Sequence, residues 1–451
     1  MRVHQSVRAA LLAAAAAGAL LGPATALAQT APDTESRIRQ LESALAAMQA
    51  ELSEMRAREA ARAPERIAPP AAAPAPAAPA AAPEGMRVGA TTFRLGGFIK
   101  AEALLSDYAD GDLGASGAGR DFYVPGATPV GGRSEDPELD MHAKQTRLTL
   151  TGTRTVDGKT LTGYVEADFQ SSPGTGTELV TNAYTLAVRR VTLSYGRWLF
   201  GQDWTTFQNV AALPETTDFI GATDGAVFNR QALIRYTAPL GPNTQLVLAA
   251  ENPETTAASR AAPTIVGFDD DQLPDVVARL NHTAGKHSFS IAAIARRLSL
   301  EDAGVSRDGA GFGVSVSGKV MVTDKDDLRF TLTAGEGISR YIGLGFRPDA
   351  ALKGTSELEA LGVVAGFAAY RHVWGPKTRS SLIYAFQTYD QDAALTAPTA
   401  SDASQSLAVN IFHSPMPGLD LGFEFRHAVR ELFNGADGSL NRFHFVARQN
   451  F

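Results

Sequence analysis

The stretch Arg442-Phe443-His444-Phe445-Val446-Ala447-Arg448-Gln449-Asn450-Phe451 alternates two chemistries. Phe443, Phe445, Ala447 and Phe451 share one parity, and Arg442, His444, Arg448 and Asn450 share the other. Successive side chains of an extended chain point to opposite faces, so this is a strand with one apolar and one charged side. Such a strand meets two different surroundings at once, and what those surroundings are decides the fold.

Runs of this kind recur from Thr91 onward, and the pattern predicts sixteen strands, from Phe93–Asp107 to Ser439–Phe451. The links between them carry more information than their number. Tight links fall at VDGK (156–159), at Gly196, and at PLGPN (239–243), TAGK (283–286), TDKDD (323–327), WGPK (374–377) and SPMPG (414–418). Every intervening link is longer, among them 108–143, 171–182, 205–230, 253–274, 299–309 and 336–356. Short and long alternate strictly. A soluble sandwich has no reason to sort its loops by end, whereas an outer-membrane barrel has short periplasmic turns and long outer loops. The fold class expected is all-β: a 16-stranded antiparallel transmembrane β-barrel over residues 91–451, with both its ends in the periplasm. Backbone groups in a bilayer must all be paired, so the last strand closes onto the first. Phe443 and Phe445 then face lipid, and Phe451 sits at the periplasmic aromatic girdle. A terminal Phe also resembles the assembly signal read by the bacterial barrel-assembly machinery.

Composition hides such a fold. The 451 residues are 44% hydrophobic and 20% charged with a net charge of −7, which looks soluble, because only alternate residues of a barrel strand face lipid. The acidic balance argues against a nucleic-acid partner. The 42 glycines suit tight turns, and the absence of cysteine excludes disulfides and lipidation at an N-terminal Cys.

Three zones precede the barrel. Residues 1–28 read as a secretory signal peptide, with Arg2 and Arg8, an Ala/Leu core broken by Gly22-Pro23, and an exit at Ala26-Leu27-Ala28; the alternative is a retained inner-membrane anchor. Residues 29–62 read as a periplasmic coiled-coil helix, with Ile38, Leu45 and Leu52 at a and Leu41, Met48 and Met55 at d. The alternative is an amphipathic helix packed on its own chain. Residues 63–90 form a Pro/Ala-rich linker, an extended spacer without a core.

Period two sorts lumen from lipid. The lipid parity collects Leu161, Val165, Leu248, Phe289, Ile291, Val363, Phe367, Leu382, Leu407, Val409 and Phe423. The opposite parity is polar and rich in cations: Lys100, Arg147, Arg190, Arg235, Arg279, Arg296, Arg426, Arg430 and Arg442. Guanidinium groups in a wet pore attract and orient carboxylates. The competing reading is that they pair with Glu166, Asp168, Glu424 and loop acids merely to fill the lumen. The loop 205–230, TTFQNVAALPETTDFIGATDGAVFNR, is moderately apolar. Folded inward it would narrow the pore and set Glu215, Asp218 and Asp224 against wall arginines; the alternative is an outer-surface loop.

The heptad helix with its Pro-Ala spacer, FRLGGFIKAEALLSDY (93–108), DFYVPG (121–126), KQTRLTLTGTR (144–154), GYVEADFQ (163–170) and YGRWLFGQDWTTF (195–207) together resemble the DcaP-like outer-membrane porin family. The resemblance implies a homotrimer of sixteen-stranded barrels with a periplasmic coiled coil. It also implies passive diffusion of small anionic solutes such as dicarboxylates or aromatic acids. No residue-level substrate motif carries over. The expected surroundings are outer-membrane lipid and lipopolysaccharide of a Gram-negative cell. The chain lacks HExxH, G-x-S-x-G and Walker A motifs, so neither an enzyme nor a cofactor is expected. The run Asp269-Asp270-Asp271 reads as a solvated acidic loop before a calcium site, and no metal is expected. A barrel-anchored tether or adhesin gripping a partner through the helix is the rival function.

Overall fold

The computed structural model of the protein describes residues 85–114, 117–170, 183–268, 270–302, 305–354, 357–390 and 392–451. The signal segment, the heptad helix and the Pro-Ala stretch up to residue 84 lie outside them, as does Asp269. The alternating runs become sixteen long strands. The first eight are β1 (Thr91–Tyr108), β2 (Arg147–Val156), β3 (Lys159–Asp168), β4 (Ala187–Tyr195), β5 (Trp198–Trp204), β6 (Arg230–Pro239), β7 (Thr244–Glu251) and β8 (Asp275–Ala284). The rest are β9 (His287–Asp302), β10 (Val305–Met321), β11 (Asp327–Glu336), β12 (Gly362–Val373), β13 (Thr378–Asp390), β14 (Ser401–Met416), β15 (Leu419–Leu432) and β16 (Asp437–Asn450). Each pairs antiparallel with the next, and β16 pairs with β1 from Asn450↔Phe98 to Leu440↔Tyr108, which closes the barrel.

Local chemistry explains the turns. In the VDGK hairpin, Asp157 and Gly158 both take positive φ, 49° and 72°, as a tight two-residue hairpin turn requires. β1 serves two neighbours on one edge, β2 through Thr92–Phe98 and a short strand, Glu138–His142, through Glu102–Ser106. The hand-over falls beside Gly97, where φ is 140° and a Cβ would lie 2.1 Å from the Arg147 carbonyl oxygen. Only glycine fits there. A second short strand, Met86–Val88, folds back on Thr91–Phe93.

Strand lengths are uneven. β2 to β8 run only 7 to 10 residues, whereas β9, β10 and β14 run 16, 17 and 16. At the long-loop end a separate four-stranded sheet forms from Val266–Phe268, Thr255–Ala258, Ala350–Lys353 and Glu357–Ala360. The first three fall where loop is expected, and the last where the pattern runs on into β12, from which it breaks at Leu361.

Outward positions are apolar and exposed, including Leu148, Leu150, Ile234, Leu248, Ile291, Leu382, Val409, Phe423, Phe443 and Phe445. On β12 the expected parity is reversed. Val363 and Phe367 are buried inside the barrel, and Val364 and Tyr370 face outward. Both faces of this strand are apolar, because its inner face packs against a loop rather than water, so alternation cannot tell them apart.

Candidate functional site: the looped lumen

Loop 205–229 does fold inward, and it crosses to the far wall. It leaves β5 with Thr205 Oγ1 and the Thr206 amide both donating to Glu251, at 2.6 Å each. Lys100 Nζ, on β1, donates to the Thr217 carbonyl at 2.6 Å, and the Thr216 hydroxyl donates to Glu424 of β15, also at 2.6 Å. Arg379 of β13 grips Glu215 with two nitrogens, at 2.6 and 2.8 Å. Phe207 and Ala222 bury against inward apolar positions, Phe207 near Val277 and Ile294, and Ala222 near Phe367 and Ile383.

Two further loops join it, which periodicity does not reveal. Ile338, Tyr341 and Ile342 are fully buried in the same cluster as Phe207, and the Val227–Ile342 bridge ties the loops together. Arg296 anchors the second loop through Asp275 and Asp349, each at 3.0 Å. From loop 109–137, Phe122 packs with Ile220 and Ala226, while the Tyr123 hydroxyl donates to Asp224 at 2.8 Å. Burying a side chain such as Phe207 or Ile342 contributes on the order of 1.5–3 kcal/mol, so this plug is a packed core.

All nine basic positions read as inward do face inward. Six have a carboxylate partner: Lys100 with Glu102 (2.8 Å), Arg147 with Asp168 (3.3 Å), Arg190 and Arg235 with Asp203 (2.5 and 2.7 Å), Arg296 as above, and Arg426 with Glu424 (2.9 Å). Arg279, Arg430 and Arg442 have none among the described residues. Arg279 donates to the Gln208 carbonyl, Arg430 to Ser401 and the Thr128 carbonyl, and Arg442 to Ser106 and Tyr108. The loop acids fare differently from expectation. Glu215 meets an arginine, but Asp218 accepts from the Tyr123 and Ile220 amides. Asp224 accepts from the hydroxyls of Tyr123, Ser404 and Ser406. Tyr123 of loop 109–137 and the β14 serines thus supply the hydrogen bonds expected from wall arginines.

Arg189, absent from the sequence reading, is buried in the lumen wall between Glu166 (2.8 Å) and Asp168 (2.6 Å), with its guanidinium over Phe219 at 4.9 Å. A bulge between β3 and β4 puts Arg189 and Arg190 on the same side, which strict parity forbids.

The plug separates two cavities. Toward the tight turns lies a chamber of about 450 Å³ lined by Arg190, Arg235, Arg279, Asp203 and Thr283. Toward the long loops lies a mouth of about 510 Å³ lined by Arg347, Arg430, Phe346 and Ile265. Burial pulls the Arg347 guanidinium below the usual arginine range. Among the described residues there is no cluster of metal-ligating side chains.

A closed barrel, apolar outside and narrowed from within by its own loops, defines an outer-membrane β-barrel of the porin type. The chain belongs to the DcaP outer membrane protein family, whose model matches residues 125–451. Among solved structures it is similar to the outer membrane channel DcaP of Acinetobacter baumannii, at 25% identity and TM-score 0.67, covering 81% of this chain and 99% of that one. OmpT of Vibrio cholerae shares the fold at 14% identity and TM-score 0.51, covering 82% of this chain and 100% of that one. An anion-selective porin from Comamonas acidovorans shares it at 12% identity and TM-score 0.50, covering 80% and 100%. No curated protein sequence matches the chain. Membership places the barrel in the outer membrane of a Gram-negative cell, with the tight turns on the periplasmic side.

Proposed function

We propose that the protein is a porin that passes small hydrophilic solutes by diffusion and prefers anions such as dicarboxylates or aromatic acids. The observation that carries this reading is the periplasmic chamber: three arginines line it against one aspartate, and Arg279 has no carboxylate partner among the described residues. Guanidinium groups in a narrow channel are screened less than exposed loop acids, whose fields fade within roughly 8 Å at physiological salt. The net charge of −7 therefore misreports the chamber. Family membership supports the channel, and the lumen geometry supports its sign. We further read the native assembly as a homotrimer with the heptad helix in the periplasm.

The test is the reversal potential of the purified protein in planar bilayers under a salt gradient. Wild type is expected to prefer anions. Replacing Arg190, Arg235 and Arg279 together with Gln should lower the anion-to-cation permeability ratio roughly fivefold, which corresponds to about 1 kcal/mol of lost attraction. Block by succinate should weaken in parallel. A cation-selective wild type, or a triple variant with unchanged selectivity, overturns the assignment.

A further inference from the structure

One concavity lies on the other side of the wall. Gly152 of β2 pairs directly with Gly163 of β3, and both occupy the outward parity where the barrel elsewhere carries large apolar side chains. The Phe93 ring covers Gly152, where a Cβ would meet it at 2.9 Å, but Gly163 is left bare. A groove of about 350 Å³ lies over Gly163, walled by Phe93, Leu150, Leu161, Val165, Val191 and Leu193. A surface belt of apolar residues binds lipid anywhere; a trough binds one chain in one place.

Charge marks one end of this trough. Arg154 lies two residues beyond Gly152 on the same parity, is exposed, and has no ion-pair partner among the described residues. Lys159 stands beside it with Nζ 5.4 Å from the Tyr195 ring, and the acid of the adjoining turn is Asp157. Both cations sit at the periplasmic turn, where the inner-leaflet headgroups lie. The stretch from Lys159 to Val165, at ~3.3 Å per residue and a tilt of ~45°, descends ~14 Å into the membrane, about half of a ~30 Å hydrocarbon core. The groove is thus one leaflet long, apolar along its length and basic at its headgroup end.

We propose that this groove holds one phospholipid of the periplasmic leaflet, with an acyl chain over Gly163 beside the Phe93 ring and its phosphate on Arg154. The lipid supplies the side-chain volume that Gly163 omits, and the arginine fixes its depth. A guanidinium suits this task because its planar fork matches two phosphate oxygens.

The experiment is native mass spectrometry of the full-chain protein extracted in mild detergent and re-exposed to phosphatidylglycerol or phosphatidylethanolamine. Gly163→Leu fills the groove at a position where a new Cβ meets nothing within 4 Å, so this variant is expected to fold. Arg154→Gln keeps the groove and removes the cation; gel mobility before and after heating reports folding of both. Wild type should retain a lipid adduct, Gly163→Leu should lose it, and Arg154→Gln should lower its occupancy several-fold. Equal adducts in wild type and Gly163→Leu, or none in wild type, overturn the proposal. So does a lipid-free wild type whose oligomeric state changes in Gly163→Leu, which assigns the groove to a second copy of the chain.

Discussion

Gly225 shows how closely the in-folded loop is fitted to the wall. A Cβ there would lie 1.9 Å from the carbonyl oxygen of Gly366 on β12, and the contact is with backbone, which cannot swing aside. Overpacking of this kind costs about 1–3 kcal/mol. Gly225→Ala should therefore loosen the loop rather than unfold the barrel, giving a larger, noisier single-channel conductance and a slightly lower melting temperature. Wild-type conductance in that variant would mean that the loop does not set the narrowest point. Inward cations at this scale were legible, because regular strands keep their parity from turn to turn. Arg189 was not, since one bulge moves it to the side of Arg190. Val363 and Phe367 were misread because they face protein where parity reasoning assumed water.

At the scale of elements, the seam between β1 and β16 is where closure is decided. Beyond the ladder, the Phe451 amide donates to the Gly97 carbonyl at 3.1 Å, and the Gly97 amide donates to the Phe451 carbonyl at 3.3 Å. The ring itself is exposed. Deleting Phe451 removes both bonds, each worth about 0.5–1.5 kcal/mol, together with an aromatic anchor at the membrane boundary. Less heat-modifiable barrel in the outer membrane is expected, with the missing protein recovered as periplasmic aggregate. Undiminished surface levels would deny Phe451 any part in assembly. The barrel strands were readable because each carries a period of two between turn residues. Three strands of the sheet over the mouth were not readable, because strands of three or four residues in Ala- and Pro-rich loops carry too few alternations to register. The fourth, Glu357–Ala360, merged with β12 in the pattern.

For the whole molecule, the barrel holds its plug with its own contacts, so conduction should not need residues 29–84. Removing Gln29 to Glu84 should leave a pore with unchanged selectivity that remains trimeric by native mass spectrometry but dissociates at a lower temperature. Monomers in the intact protein would end the trimer reading. The plug has a further consequence, for time rather than for space. The bond from Thr216 to Glu424 joins residues 208 apart, and that from Arg430 to the Thr128 carbonyl joins residues 302 apart. Contacts so distant along the chain form late, because the loop-closure entropy must be met first. The loop leaves the wall after β5 and has near anchors on β7, but its far anchors, Arg379 and Glu424, lie on β13 and β15, so it cannot be pinned across the lumen until most of the cylinder exists. A newborn barrel would thus be an unfiltered hole before it is a sieve, and each copy passes through a leaky adolescence whose length is set by the docking of one loop.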